Sequence, residues 1–227
     1  MSKLVIVRHG QSIWNLQNRF TGWVDVSLSK KGLVEARRAA IKLKNFKFDV
    51  AFTSNLLRAQ ETLFEILNRN LYCNQYIRIH GNESKWYSHY KHTKSDDLDL
   101  VVFSNEALNE RFYGDLQGLN KDGTRKKFGE KLVQLWRRSY SVRPPGGNAL
   151  EQTSERTIPY FKKYIQKRLK KGENVIISAH GNSLRAIVKY IEKLDKKEIM
   201  KLEIGTGVPI VYSFDKDMNV KKKEILG

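Results

Sequence analysis

Two histidines in matching settings carry the first chemical reading of this chain. Arg8-His9-Gly10 follows the apolar run Leu4-Val5-Ile6-Val7, and His180-Gly181-Asn182 closely follows Val175-Ile176-Ile177. Such runs read as buried strands. In an open α/β sheet, ligands bind beyond the carboxyl ends of strands. Both histidines therefore sit where reactive groups are expected. Ser12 and Asn15 lie just beyond Gly10. The glycine predicts close backbone approach to an anion, and Ser12 and Asn15 predict donors to phosphate oxygens. Guanidinium neighbours such as Arg8 disfavour an imidazolium and hold His9 neutral. A neutral imidazole can attack phosphorus and carry the group covalently. Arginines also grip phosphoryl oxygens through paired hydrogen bonds.

The elements that must hold these groups follow from periodicity. Leu33, Ala36, Ala40 and Leu43 predict a helix over 29–45 with Ser29 as its N-cap. A strand over 48–53, a helix over 55–68 and a strand over 100–103 follow. Helical spacing returns over 125–138, and Pro144-Pro145-Gly146-Gly147 breaks the chain. A helix over 154–171 contains Pro159 as a kink or early-turn residue. A strand at 174–178, a helix from Asn182, and strands over 209–214 and 220–225 complete the chain. The alternation predicts an α/β fold: a three-layer sandwich, with a mostly parallel central sheet and helices on both faces, in one domain over 1–227.

The segment from about 69 to 107 fits this pattern poorly. It holds Tyr72, Tyr76, Trp86, Tyr87 and Tyr90 together with His80, His89 and His92, and reads as an insertion. His89 and His92 have the spacing of a metal pair on a helix, but no cysteine or carboxylate completes a ligand set beside them. A surface role is expected.

Composition narrows the class. Of 227 residues 40% are hydrophobic, enough for a core, and 42 Lys and Arg against 24 Asp and Glu give a net charge of +18. The lysines are spread along helix faces and the tail, with no basic arm, so a solvated surface is favoured over a nucleic-acid partner. The one cysteine, Cys73, forms no intramolecular disulfide. The apolar residues before Arg8 are too few for a signal-peptide core, and no apolar run approaches the roughly 20 residues of a membrane span. A cytoplasmic protein without membrane contact is expected.

The stretch Arg8-His9-Gly10-Gln11-Ser12-Ile13-Trp14-Asn15, followed by Arg19-Phe20-Thr21-Gly22-Trp23, resembles the signature of the cofactor-dependent phosphoglycerate mutases of the histidine phosphatase superfamily. The resemblance recurs in Thr53 to Ala59, Leu108 to Gly114, Leu116 to Lys121, Trp136 to Arg138, Ala179 to Arg185 and Gly205 to Pro209. It implies His9 as the phosphorylated nucleophile, Glu110 as the general acid/base and His180 as the stabiliser of the transferring group. It implies Arg8 and Arg58 as phosphate clamps, with Asn15, Gly181 and Asn182 beside them. Thr21, Gly22, Arg111, Tyr113, Lys121, Arg137 and Arg138 match the shell that holds the rest of the substrate.

The implied reaction is interconversion of 3-phosphoglycerate and 2-phosphoglycerate, primed by 2,3-bisphosphoglycerate and needing no metal. Adjacent Arg137 and Arg138 cannot share one helix face, so one of them is expected to be solvated. The tail from Lys221 to Gly227 is expected to act as a lid, and a homodimer is the expected assembly. The insertion is longer than in typical members. Two rival readings stand beside the mutase: a phosphomonoesterase of the same superfamily, and a non-catalytic polyanion binder. Arg111, Lys121 and the Arg137-Arg138 pair supply cations beyond those one phosphate needs, which favours the mutase.

Overall fold

The computed structural model describes residues 1–80 and 100–227. Among the described residues seven strands form one sheet: β1 (Ser2–Arg8), β2 (Val50–Thr53), β3 (Tyr76–Ile79), β4 (Leu100–Ser104), β5 (Val175–Ala179), β6 (Pro209–Phe214) and β7 (Val220–Ile225). Their order is β3-β4-β2-β5-β1-β6-β7. The first five strands in that order run parallel to one another. At the far edge β6 runs antiparallel to β1, and β7 antiparallel to β6.

Alternation along the central strands builds three layers. Leu4 and Ile6 of β1 and Val175 and Ile177 of β5 enter one core, while Val5, Val7 and Ile176 enter the other. Side chains alternate across a strand, so a run apolar at every position must be covered on both faces. One cover is formed by α2 (Lys30–Leu43) and α3 (Leu57–Leu67), through Ala39, Ala40, Leu43, Leu63 and Ile66. The other includes α6 (Leu150–Tyr160), α7 (Gln166–Lys170) and α8 (Gly181–Glu192), with Phe161, Leu169, Leu184, Ile187 and Val188 packed against the sheet. Ile177 is fully buried, and truncating such a side chain to Ala costs about 2–5 kcal/mol.

The N-cap at Ser29 accepts from Gly32 N at 3.1 Å, as its position predicts. The helix expected over 125–138 is two helices, α4 (Lys121–Phe128) and α5 (Glu130–Arg138), parted at Gly129 with φ of 84°. Glycine adopts that left-handed conformation freely and ends α4. Pro159 lies inside α6, and the chain widens into a π turn at Phe161–Ile165 before α7. A proline gives no N–H to the carbonyl one turn back, and a register change downstream accommodates the loss.

Strand β3 lies inside the segment from about 69 to 107 and was not expected from the sequence. His89 and His92 lie outside the described residues. The tail is not a lid: most of it is β7, an edge strand. Leu226 N donates to Pro209 O at 2.9 Å, and Lys223 Nζ meets Glu192 Oε1 at 2.7 Å. Ladder bonds to β6 hold it along the sheet. No helix among the described residues is long and apolar enough to cross a membrane.

Candidate active site

The register of β1 against β5 sets the site. Arg8 pairs with Ala179, so His9 and His180 leave the sheet side by side. His9 N–H donates to Ala179 O at 3.0 Å, and the two rings stand 4.9 Å apart between centroids, inclined at 59°. Both histidines are buried. His9 Nδ1 lies 2.7 Å from the Gly10 carbonyl. A carbonyl only accepts, so Nδ1 carries the proton and Nε2 keeps its lone pair. Burial, then the charges of Arg58 and Arg8, hold the His9 pKa well below the usual imidazole range, with the Gly10 bond opposing. The ring is therefore neutral at neutral pH, with Nε2 as its nucleophilic nitrogen. His180 is lowered in the same way, by burial first and then by Arg58. Its Nε2 pairs with Ser54 Oγ at 2.7 Å, and its Nδ1 has no partner among the described residues.

Glu110 follows the short turn Glu106–Leu108 beyond β4. Its Oε1 accepts from Arg111 N at 2.7 Å, Asn182 N at 3.1 Å and Asn182 Nδ2 at 2.8 Å. Asn182 N is a first-turn amide of α8, a setting that favours a carboxylate. Oε2 makes none of these bonds and is the oxygen left to face a ligand.

His9 and Glu110 open on a cleft of about 170 Å3, room for a small anion rather than a polymer. Seven cations line it among the described residues: Arg8, Arg19, Arg58, Lys121, Arg137, Arg138 and Arg185. The carboxylates there are Glu110 and Glu203. Arg58 is fully buried, donating through Nη1 to Val24 O at 3.0 Å and through Nη2 to Gly22 O at 2.8 Å. Burial pushes its pKa down to about 10, against the pull of Glu110. Burial, then Arg137, Arg8 and Arg125, push Lys121 down to about 8. Arg8 Nε, Arg58 Nε, Arg185 Nε and Thr21 Oγ1 are buried without a hydrogen-bond partner among the described residues. Each such group costs about 1–3 kcal/mol unless satisfied, and an oxyanion in the cleft is a partner that can satisfy them.

A sequence model described as the histidine phosphatase superfamily (branch 1) matches residues 4–78 and 92–223. The chain belongs to the histidine phosphatase superfamily. Among its relatives, a 2,3-bisphosphoglycerate-dependent phosphoglycerate mutase of Pseudoalteromonas atlantica is 52% identical over 226 residues, covering 100% of both chains. An enzyme of the same name from Methanococcus vannielii is 49% identical, covering 95% of this chain and 92% of its own. A solved mycobacterial glucosyl-3-phosphoglycerate phosphatase complexed with VO3 is 23% identical, with a TM-score of 0.75 over 99% of this chain and 97% of that one. The alpha-ribazole phosphatase of Shigella flexneri is 18% identical, with a TM-score of 0.74 over 99% of this chain and 96% of that one. These two solved structures share the fold.

In this member of the superfamily, the cleft wall brings together His9, Glu110, Arg8, Asn15, Thr21, Gly22, Arg58, Tyr113, Lys121, Arg137, Arg138, Gly181 and Asn182 from the sequence-based set. Both Arg137 and Arg138 reach it, contrary to the expected split, because the last turn of α5 ends at its rim. Arg138 pairs there with Glu203. Four residues of the set lie behind the wall, among them His180, fully buried beside His9. A Cβ on Gly10 would fall 2.3 Å from Gly32 O, so this glycine permits close packing of the loop on α2 rather than on an anion. Ser12 caps the short helix α1 (Ile13–Leu16), its Oγ accepting from Asn15 N at 3.1 Å. Arg111 is fully buried and donates from Nη2 to Arg137 O at 2.7 Å and Tyr113 Oη at 3.0 Å, a brace for the α5 end of the cleft.

Arg19, Phe20 and Arg185 line the cleft without having been assigned a role from sequence. Arg19 and Phe20 stand two residues before Thr21 and next to it. Arg185 sits one turn into the helix that opens after His180, which was the signal available for it.

Proposed function

We propose that this chain interconverts 3-phosphoglycerate and 2-phosphoglycerate through a phosphohistidine on His9. One observation carries the reading: a neutral, Nε2-nucleophilic His9 shares its cleft with more cations than one phosphate requires. Arg8 and Arg58 flank His9, while Lys121, Arg137 and Arg138 come from α4 and α5 and can hold a second anionic group. The full-length relatives bearing the mutase name support it.

His9 Nε2 attacks phosphorus as the ester oxygen leaves, and Glu110 gives that oxygen a proton. Arg8, Arg58 and the Nδ1–H of His180 hold the charge spread over the equatorial oxygens. This needs Ser54 to donate to His180 Nε2, leaving the proton on Nδ1. The phospho-His9 group then passes to the free hydroxyl of the bound phosphoglycerate, whose proton Glu110 takes, and the opposite phosphoryl group returns to His9. The unpartnered nitrogens of Arg8, Arg58 and Arg185 fit a doubly phosphorylated ligand, and Lys121 and Arg137 would hold its far end. When bound, 2,3-bisphosphoglycerate supplies the phosphoryl group that first charges His9.

No metal ion enters this scheme. The reading takes residues 1–227 as one cytoplasmic domain, with about 69–107 as an insertion, working as a homodimer on a small anionic substrate and binding neither nucleic acid nor membrane. The test is turnover of 3-phosphoglycerate in EDTA, with and without trace 2,3-bisphosphoglycerate, reading 2-phosphoglycerate and free phosphate together. Primer-stimulated 2-phosphoglycerate formation with little phosphate release is expected. Release of phosphate as the main product would replace the mutase with a phosphatase, and loss of activity in EDTA restored by manganese would overturn the scheme.

A further inference from the structure

Arg185 is 4% exposed and lines the cleft. Its Nη1 donates to Asn182 Oδ1 at 3.1 Å and its Nη2 to the Ile199 carbonyl. The other end of the same carboxamide, Asn182 Nδ2, donates to Glu110 Oε1 at 2.8 Å. A carboxamide has one accepting end and one donating end, and an arginine only donates. The guanidinium therefore fixes which way round the Asn182 amide sits. We propose that Arg185 is a positioning residue for Glu110, acting through the Asn182 side chain. The proposal rests on the acid/base reading of Glu110.

Without Arg185, the amide keeps only its bond to Glu110 Oε1, and it can turn over more readily, because terminal sp3–sp2 torsions are broad and roughly two-fold. The turned amide would aim Oδ1 at Glu110 Oε1, acceptor against acceptor. Oε1 would lose one of its three donors, and Oε2 would lose its bearing on the ester oxygen. Ile199 lies on α9 (Glu198–Lys201). The guanidinium is thus tied to α9 as well as to Asn182, which keeps it from swinging out with the amide. Arg185 Nε has no partner among the described residues, so a direct contact with the ligand is the competing role, and the test separates the two.

The separation uses leaving groups. In charging His9, the Nε2–P bond forms, the ester O–P bond breaks, and the proton of Glu110 goes to the departing oxygen. An alkoxide needs that proton, whereas the weakly basic 2,4-dinitrophenolate does not. Single-turnover labelling of His9 is measured with glycerol 3-phosphate, an alkyl ester lacking a carboxylate, with 2,4-dinitrophenyl phosphate, and with 2,3-bisphosphoglycerate. Arg185→Met should slow transfer from glycerol 3-phosphate about tenfold or more, and from dinitrophenyl phosphate less than about twofold. Asn182→Ala should show the same split, and the double variant should be no slower than Asn182→Ala.

Equal slowing with every donor would overturn the proposal in favour of a general structural role. Slowing confined to 2,3-bisphosphoglycerate would overturn it in favour of a ligand contact, and multiplying effects in the double variant would show that Asn182 is not the intermediary. Glu110→Gln is the control: if it lacks the split between donors, the acid/base reading of Glu110 is what fails. Should Arg185→Met not fold, Arg185→Gln in the same cycle with Asn182→Ala supports or overturns the proposal on the same outcomes.

Discussion

Raising the pH through about 8 discharges Lys121 in the empty cleft, and productive capture of phosphoglycerate should fall with it. The cause is burial first, then repulsion from Arg137, Arg8 and Arg125. A bound dianion adds negative charge beside the ammonium and favours its charged form, so the pKa rises on binding. The sign follows: below about pH 8 the cation is already present, and above it a proton must be taken up together with the ligand. With a pKa of about 8, roughly one Lys121 in eleven stays charged at about pH 9. If the contact is required, kcat/KM at that pH falls to about a tenth of its plateau. Arg58 and Arg185, each lowered to about 10, stay largely charged there and do not confuse the profile. The kcat limb, which reports the bound state, should lie at higher pH. The assay is a pH series of mutase rates at constant ionic strength, on the wild type and on Lys121→Met. The variant should start from a lower plateau and lack the limb near pH 8. A wild-type kcat/KM that stays flat through about pH 9, or a Lys121→Met profile that keeps the same limb, would refute the reasoning.

Three further outcomes are expected. His9→Ala should abolish phosphoryl transfer yet retain phosphoglycerate binding by calorimetry, and residual turnover in that variant would mean another nucleophile. Glu203→Gln removes the carboxylate that occupies Arg138 at the cleft rim. Exposed pairs of this kind are worth about 0–1 kcal/mol, so KM for 3-phosphoglycerate should drop by up to about fivefold. An equal drop in an Arg138→Gln background would show that the effect does not pass through Arg138. His9 and His180 are held neutral when folded but titrate near 6.5 in the unfolded chain. The unfolded state then binds more protons below that pH. Each ring should withdraw roughly 1 kcal/mol of stability per pH unit as acid is added. Urea midpoints between about pH 7.5 and 5.5 measure this loss, and an undiminished acid loss in a His9→Gln/His180→Gln protein would contradict the assignment.

The sheet and the paired histidines were legible because both rest on local pattern. Continuous apolar runs in β1 and β5 require cover on two faces, and a histidine directly after each places both at one end of the sheet. The less legible parts depend on contacts between distant segments. Nothing local distinguishes a glycine that meets an anion from Gly10, which meets Gly32. Ser12 has the sequence of a phosphate donor, but its hydroxyl is engaged as a helix cap. The break at Gly129 shows why period alone overextends a helix: apolar spacing continues across a residue whose φ has changed sign. Strand β3 is short and half-buried at an edge, where alternation is weakest. The strand over 220–225 was legible in the tail, and its pairing with β6 is what sets aside the lid that the family resemblance implied.

The stranded guanidinium nitrogens have a practical corollary. Arg8 and Arg58 are tethered through their other nitrogens to the Ile204, Val24 and Gly22 carbonyls, so a bound anion meets guanidiniums already held in place. An anion that binds the folded chain and not the unfolded one stabilises it by mass action. Melting temperature becomes a gauge of occupancy. Phosphate or sulfate in a storage buffer would register on it as a guest, making the protein look hardier than it is when the pocket is bare.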